Sequence, residues 1–405
     1  MADIAPLSGI RVADFTWVWA GPYCTLQLAH LGAEVIRIES SARPCVTRLL
    51  PPWADGEFGV NRSGYFNQYN QGKLSLALDL REARAKAIAK ELVAVSDVVC
   101  ENFAAGVMDR IGLGYEALRQ VKPDLIMIAM SGYGATGPES HYVSYGPAQV
   151  PLSGFSSVTG YRGWPPMHVG ISYGDPNGGL HGAVAVLAAL HYRARTGRGQ
   201  YIDLSQQETT ISVLAEAVLR YTMAGEQPAR DGNRDPHMAP HGVFRCTGDE
   251  RWVAISVRSD GEWRRLAEII DQDALPTDVR FATLTGRKAN EDALEAIVSS
   301  WTLDRSCEDV TRTLQAAGIP AFPSMSNRDL AEDAHLNAAG FFVSLPHAEV
   351  GTRQHAGIPW RLSRTPTAVR QAAPCLGEHT DYVMQEILGY TAAEVQQLKQ
   401  QQILT

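Results

Sequence analysis

The residues with the clearest chemical potential lie in GDPNGG at 174–179. Asp175 stands there just ahead of a strongly apolar run, GLHGAVAVLAALHYR. Two readings are open. An Asp before Pro and Gly favours a turn or a helix N-cap. Alternatively, a carboxylate held at a helix N-terminus can act as a nucleophile, with Gly178 and Gly179 letting a substrate approach the backbone. Other constellations carry less. GYGATG at 132–137 has the G-x-G-x-x-G spacing of a dinucleotide site. Pro138 follows at once, however, the next residues lack helical periodicity, and no acid closes a second strand about 20 residues on. His237 and His241 form the only close histidine pair, but Pro236 and Pro240 interrupt the helix that an i, i+4 metal site needs. No metal site is expected. No G-x-S-x-G elbow is present, so serine hydrolase chemistry has no support.

These residues must be held by a scaffold, and the apolar pattern predicts one. Short apolar runs at 10–15, 34–39, 97–101 and 125–130 read as strands. Helical signals separate them at 22–31, at 85–95 behind Asp79 as N-cap, and at 115–121. Strands alternating with helices imply parallel pairing through right-handed crossovers. The fold class is therefore α/β: a doubly wound parallel-sheet large domain, with its ligand site beyond the C-terminal strand ends. A Gly-, Pro-, Ser- and Tyr-rich loop at 134–178 is long enough to be functional. A long helix at 179–193, a strand at 201–204 and a helix to about 221 follow. The turn-rich 225–242 marks a domain boundary. Beyond it, strands at 252–257 and 321–325 and helices at 262–270, 289–301 and 306–316 make a smaller α/β domain. We thus divide the chain into 1–224, a small domain at 225–330, and a return to the large domain at 331–405, ending in an amphipathic helix.

The chain has 405 residues, enough to bury a large core without staples. Its net charge of −8 argues against a nucleic-acid backbone binder. No apolar run reaches membrane-spanning length. The opening MADIAPLSGIRVADF lacks a basic and an apolar signal region, so a cytoplasmic location is expected. The six cysteines lack C-x-x-C spacing and read as reduced thiols, mostly in the core.

Motifs in order along nearly the whole chain then carry a resemblance. They are PLSGIRV at 6–12 with Asp14 and Phe15, AGP at 20–22, LGAEVIRIE at 31–39, and ENF at 101–103. Asp109–Arg110, SGYG at 131–134, TGRGQ at 196–200 and LGEHT at 376–380 follow. With these the chain resembles the class III coenzyme A transferases, the family of formyl-CoA transferase and the α-methylacyl-CoA racemases. The resemblance implies an acyl-CoA:carboxylate CoA-transferase with Asp175 as covalent nucleophile. Asp175 would attack the acyl-CoA thioester to give a mixed anhydride. The CoA thiolate would then form an aspartyl-CoA thioester, and the acceptor acid would reverse the sequence. The thioester exchange needs no ATP, and the CoA thioester is substrate, with no further cofactor expected.

At the family's CoA-binding positions stand Val18, Trp19, Leu78 to Arg81, Asn102, Phe103, Arg110 and Tyr133. Arg81 and Arg110 suit phosphate recognition, the alternative being solvated surface arginines. The basic residue after the second strand is Ser40 here, with Arg43 nearby to replace it, and a family Lys becomes Ser131. A Gln of the formyl/oxalyl enzyme becomes Trp19, which disfavours formate and oxalate. Trp17, Trp19 and Tyr23 would line a pocket for a larger or aromatic acid, 2-benzylsuccinate-like, or else pack the core or a dimer seam. Tyr145 stands near the position of the racemase His and, with His241, is placed in the substrate pocket. The segment 232–242 matches a mobile loop that would close over Asp175. The family implies an interlocked dimer, as homodimer or with a homologous subunit. Two alternatives remain: a 2-methylacyl-CoA racemase of the same fold, and a CoA-binding, catalytically silent subunit.

Overall fold

The structure is a computed structural model and describes residues 5–271 and 274–405. The chain divides into two compact units. The first comprises Met1–Ser157, His168–Pro228 and Asn337–Thr405; the second comprises Val158–Met167 and Ala229–Leu336.

The first unit is built on a six-stranded sheet. Its strands are β1 (Arg11–Asp14), β2 (Glu34–Glu39), β3 (Leu74–Ala77), β4 (Val98–Glu101), β5 (Ile126–Ser131) and β6 (Gln200–Ser205). Every pair is parallel and the order is β3-β2-β1-β4-β5-β6. The order reverses between β1 and β4, which opens a crevice beyond their C-terminal ends. Alternate strand residues feed two cores. Ala13, Ile36, Val99 and Met127 join one face, and Val12, Val35, Val98, Ile126 and Ile128 the other. Burial on both faces is why the strands read as continuous apolar runs.

The helices of this unit are α1 (Ala20–His30), α2 (Gly64–Tyr69), α3 (Ala83–Ala94), α4 (Val107–Arg110), α5 (Tyr115–Leu118), α6 (Gly146–Leu152), α7 (Phe155–Val158), α8 (Gly174–Thr196), α9 (Gln206–Ser212) and α10 (Ala215–Ala224). Ala85, Ile88, Ala89 and Leu92 of α3 cover one face, while Cys24 and Leu28 of α1 and Ala183, Val186 and Ala189 of α8 cover the other. The tail returns here through an antiparallel hairpin, Phe342–His347 with Gly351–Ala356, and a last helix, Ala392–Gln400. The second unit has a three-stranded antiparallel sheet, His241–Arg245, Trp252–Ser256 and Ala321–Pro323, with helices packed around Trp263.

Several expectations are corrected. Strand β3 and the tail hairpin were not foreseen; β3 is only four residues long and follows directly on Lys73, a residue depleted from strands. Asp79 does not cap α3; Glu82 does, and Asp79 is held by Arg81. The helix expected at 115–121 is the single turn α5. Helix α8 begins at Gly174, so Asp175 lies inside its first turn and not ahead of it.

Candidate active site

Asp175 enters the site because α8 starts with small residues that allow close packing. A Cβ on Gly179 would lie 2.7 Å from the Ala20 carbonyl oxygen and 3.1 Å from the Cys24 nitrogen. A Cβ on Gly182 would lie 2.7 Å from Met130 Sδ. These glycines therefore seat α8 against α1 and the sheet. The approach of substrate to backbone expected at Gly178 and Gly179 is corrected: Gly179 faces α1, and a Cβ on Gly178 would meet Gln206 at 3.1 Å. The close approach occurs at Gly146, where an added Cβ would stand 1.6 Å from Asp175 Oδ2. The carboxylate thus rests on the bare backbone at the start of α6.

The N-cap reading of Asp175 does not hold, since the N-cap is Tyr173 and no side chain caps the helix. Asp175 is 7 % exposed. Burial pushes its carboxyl up from 3.8 to about 7, and a hydrogen bond from the Ala20 backbone N–H pulls the other way. Ala20 opens α1, so two helix N-termini converge on this carboxylate. Their partial positive charge favours negative charge developing there.

The turn after β1 supplies the opposite wall. Val18 has φ +65°, a left-handed conformation that is an outlier for a β-branched residue. Two devices hold it. Asn102 Oδ1 accepts from Trp17 N at 2.7 Å, and Asn102 Nδ2 donates to Trp17 O at 2.8 Å. Asp14 accepts from Thr16 N at 2.9 Å, from Thr25 Oγ1 at 2.8 Å and from Lys73 Nζ at 3.2 Å. Lys73 is fully buried, and burial lowers it to about 8 against the pull of Asp14. Strain of this kind persists only where surrounding structure over-determines it.

These walls enclose a cavity of about 490 Å³. Asp175, Val18, Trp17, Arg43, Leu78, Arg81, Asn102, Phe103 and Tyr145 all line it. The structure thus brings together most of the residues singled out from sequence, from six separate stretches of chain. Arg43 lies over the Trp17 ring at 5.1 Å. Arg81 is exposed and forked onto Asp79, with Nε at 2.9 and 3.1 Å from its two oxygens. Asn102 spends its side chain on Trp17, leaving backbone and ring atoms around it for a ligand.

Four residues stand elsewhere. Trp19 packs into an aromatic cluster with Tyr65 at 5.6 Å and Tyr69 at 5.1 Å. Arg110 is exposed at the end of α4 and outside the cavity lining. Tyr133 packs edge-on against Tyr142 at 5.6 Å. His241 belongs to the second unit, where its Nδ1 meets Asn233 O. Sequence reasoning missed Gly146, Gln206 and Tyr65. Burial is the main cause that raises the Tyr65 phenol, and the charge of Asp175 adds to it. Gly146 had a visible signal, a Gly–Pro pair just after Tyr145; Tyr65 had none.

Among the described residues no group of three or more His, Cys, Asp or Glu could hold a metal, and no helix is long and apolar enough to cross a membrane. A parallel sheet with a crevice at its reversal point, closed by a buried carboxylate, defines an α/β enzyme acting on a ligand laid across the strand ends. The chain belongs to CoA-transferase family III, which matches residues 7–380, and it is a family III CoA-transferase. It is 31% identical over 399 residues to a succinyl-CoA–D-citramalate CoA-transferase of Chloroflexus aurantiacus, covering 98% of each chain. It is 34% identical over 385 residues to a succinate–glutarate CoA-transferase of Agrobacterium fabrum, covering 94% of this chain and 96% of that one. A solved CaiB/BaiF family protein of Brucella suis superposes with TM-score 0.87 at 31% identity, over 95% of this chain and 99% of that one.

Proposed function

We propose that this enzyme moves CoA from succinyl-CoA to a second dicarboxylic acid through covalent intermediates on Asp175. The observation that carries the reading is the buried carboxylate at two helix N-termini, lining a cavity of about 490 Å³. An Asp175 oxygen attacks the thioester carbonyl, and the C–S bond breaks to release CoA thiolate. The thiolate attacks the aspartyl carbonyl of the anhydride and expels succinate, leaving aspartyl-CoA. The acceptor carboxylate attacks that thioester and releases the thiolate again. The thiolate then attacks the acceptor acyl carbon and frees Asp175. Each step develops an oxyanion near the α1 and α8 N-termini, where oriented N–H groups stabilise it. Burial excludes the water that would hydrolyse either intermediate.

Two observations bear on the acceptor. The relatives' names give citramalate and glutarate, which favours a dicarboxylate. Trp17 lines the cavity while Trp19 is packed away, so Trp17 is the indole placed to meet a bulky or aryl substituent such as a benzyl group. A racemase would need a second proton-transfer group. The lining residues include no histidine, and Tyr145 is an exposed phenol, so the transferase reading is favoured. The retained Asp175 speaks against a silent subunit.

The functional unit we propose is a cytoplasmic dimer with a second copy or a homologous subunit. Helix α10 buries none of its residues and exposes Val218, Leu219, Tyr221 and Met223. Intact-protein mass spectrometry after incubation with succinyl-CoA tests the chemistry. A CoA-sized adduct on the Asp175 peptide, converted to a hydroxamate by hydroxylamine, is expected. Full turnover by Asp175→Ala would overturn the reading.

A further inference from the structure

On the β6 side of the cavity at Asp175 stands a carboxamide that the covalent chemistry does not use. Gln206 opens α9 and lines the cavity together with Asp175. Its backbone is fixed. The Gln206 carbonyl accepts from Thr209 Oγ1 at 2.8 Å and from Thr210 Oγ1 at 2.9 Å, and Asn177 Nδ2 of α8 donates to Thr209 O at 2.7 Å. Its side chain is fixed as well. Nε2 donates to Met130 O of β5 at 3.0 Å, and a Cβ on Gly178 would meet Gln206 Cγ at 3.1 Å. Gly178 stands three residues after Asp175, so the two positions are neighbours on one face of α8, roughly 5–6 Å apart. The Gln206 side chain therefore packs one helical turn from the nucleophile.

One atom of this side chain is left over. A carbonyl oxygen only accepts, so the group facing Met130 O is the NH2, and Oε1 is turned from it. Among the described residues no donor reaches Gln206 Oε1, and unlike Gln149 Oε1 it is not sealed from solvent. Gln206 is 7 % exposed, so that access is through the cavity it lines. An acceptor left without a partner in a binding site favours a ligand that brings a donor. The strand order says which reactant meets it. Arg43 and Arg81, the basic side chains suited to CoA phosphates, follow β2 and β3, while Gln206 follows β6 at the other end of the sheet. The acid, and not the nucleotide, occupies the Gln206 side. A carboxylate oxygen is itself only an acceptor and is repelled by Oε1, whereas an alcohol O–H donates to it.

We propose that Gln206 is a specificity-determining residue that selects an acceptor acid with a hydroxyl group near the carboxylate that receives CoA, its O–H donating to Gln206 Oε1. The proposal rests on the Asp175 reading and adds the class of acid: a hydroxydicarboxylate is taken in preference to the same skeleton with a methyl in place of the hydroxyl. The methyl analogue fills the same space but leaves Oε1 unpaired, and a site built to bind a hydroxyl discriminates strongly against that defect. The bond from Nε2 to Met130 O keeps the carboxamide from turning its NH2 inward, where it would welcome a carboxylate instead.

Initial rates of CoA transfer from succinyl-CoA test this, with malate against methylsuccinate and 2-hydroxyglutarate against 2-methylglutarate, each enantiomer taken separately. We expect wild-type kcat/KM to favour the hydroxy acid by roughly tenfold or more. In Gln206→Leu, or in Gln206→Met should the first variant fail to fold, that ratio should fall to near one, because the acceptor oxygen is gone and the space stays filled. A ratio taken within one enzyme cancels any loss common to all acids. Equal use of hydroxy and methyl acids by the wild type, or use of neither hydroxy acid, would overturn the proposal. A preference that survives in the folded variant while every acid loses equally would put a pantetheine N–H on Oε1 and overturn it too. The CoA-sized adduct on wild-type Asp175 is recorded alongside. Where it forms and the hydroxyl preference is absent, this proposal alone falls; where it does not form, the Asp175 reading falls and takes this proposal with it.

Discussion

Replacing Asp175 with Asn should end turnover and at the same time make the protein more stable. The carboxyl rises from 3.8 to about 7 on folding because burial disfavours its charge. A group whose folded value is raised is fully tolerated below its unfolded value, and its ionised form then opposes folding as pH climbs toward the folded value. The penalty therefore grows between about pH 4 and pH 7 and is constant above. At 1.36 kcal/mol per unit, three units amount to about 4 kcal/mol, as an upper figure. Asn is isosteric and carries no charge, so Asp175→Asn should recover much of this above pH 7 and little at pH 4. For a chain this long, roughly 1–2 °C per kcal/mol implies a gain of several degrees at pH 8. Thermal unfolding of both proteins from pH 4 to pH 8.5, alongside CoA-transfer rates, reads the effect. Wild-type activity should rise through about pH 7 as the nucleophile ionises. A gain that is absent at pH 8, or equal at every pH, would refute the reasoning that burial loads this carboxylate.

Three further outcomes follow from the packing. Gly146→Ala would drive a methyl onto the Asp175 carboxylate, and a displacement near 1 Å should lower kcat by about 100-fold, with the CoA affinity measured in parallel little changed. Gly179→Ala should instead lower stability by about 1–3 kcal/mol in denaturant titrations, because its methyl meets α1 backbone and not substrate. Glu39 is buried between Arg48 at 2.7 Å and Arg37 at 3.4 Å. Burial alone would raise it, but the two guanidiniums outweigh that and hold it at about 2. Its contribution is present above about pH 4.5 and is lost as pH falls toward 2. Glu39→Gln should thus destabilise by about 3–5 kcal/mol at pH 7, a difference that shrinks in acid unfolding curves.

Much of the scaffold was legible because burial writes itself into order along the chain. Strands β2, β4 and β5 are buried on both faces and stand out as runs of largely apolar residues. Helices α1, α3 and α8 carry small or apolar residues where they meet the sheet. Strand β3 escaped notice since Lys73, just before it, finds partners in Asp14 and Thr25, two segments that only the fold brings to it, besides Asn70 three residues back.

The site divides in the same way. Residue types and motif order determined that the chain is a family III CoA-transferase and pointed to Asp175, since a carboxylate among glycines at a helix start leaves a local mark. Whether Asp175 capped its helix, what Gly179 was for, and whether Trp19 faced a substrate depended on contacts between distant segments. The clamp from Asn102 to Trp17 spans 85 positions. Trp19 turns toward Tyr65 and Tyr69, and the room beneath the carboxylate comes from Gly146. Local sequence sets a backbone preference and a polarity at each position. Which side chain fills which space, and how far its charge is cut off from water, is fixed only when the packed chain excludes the alternatives.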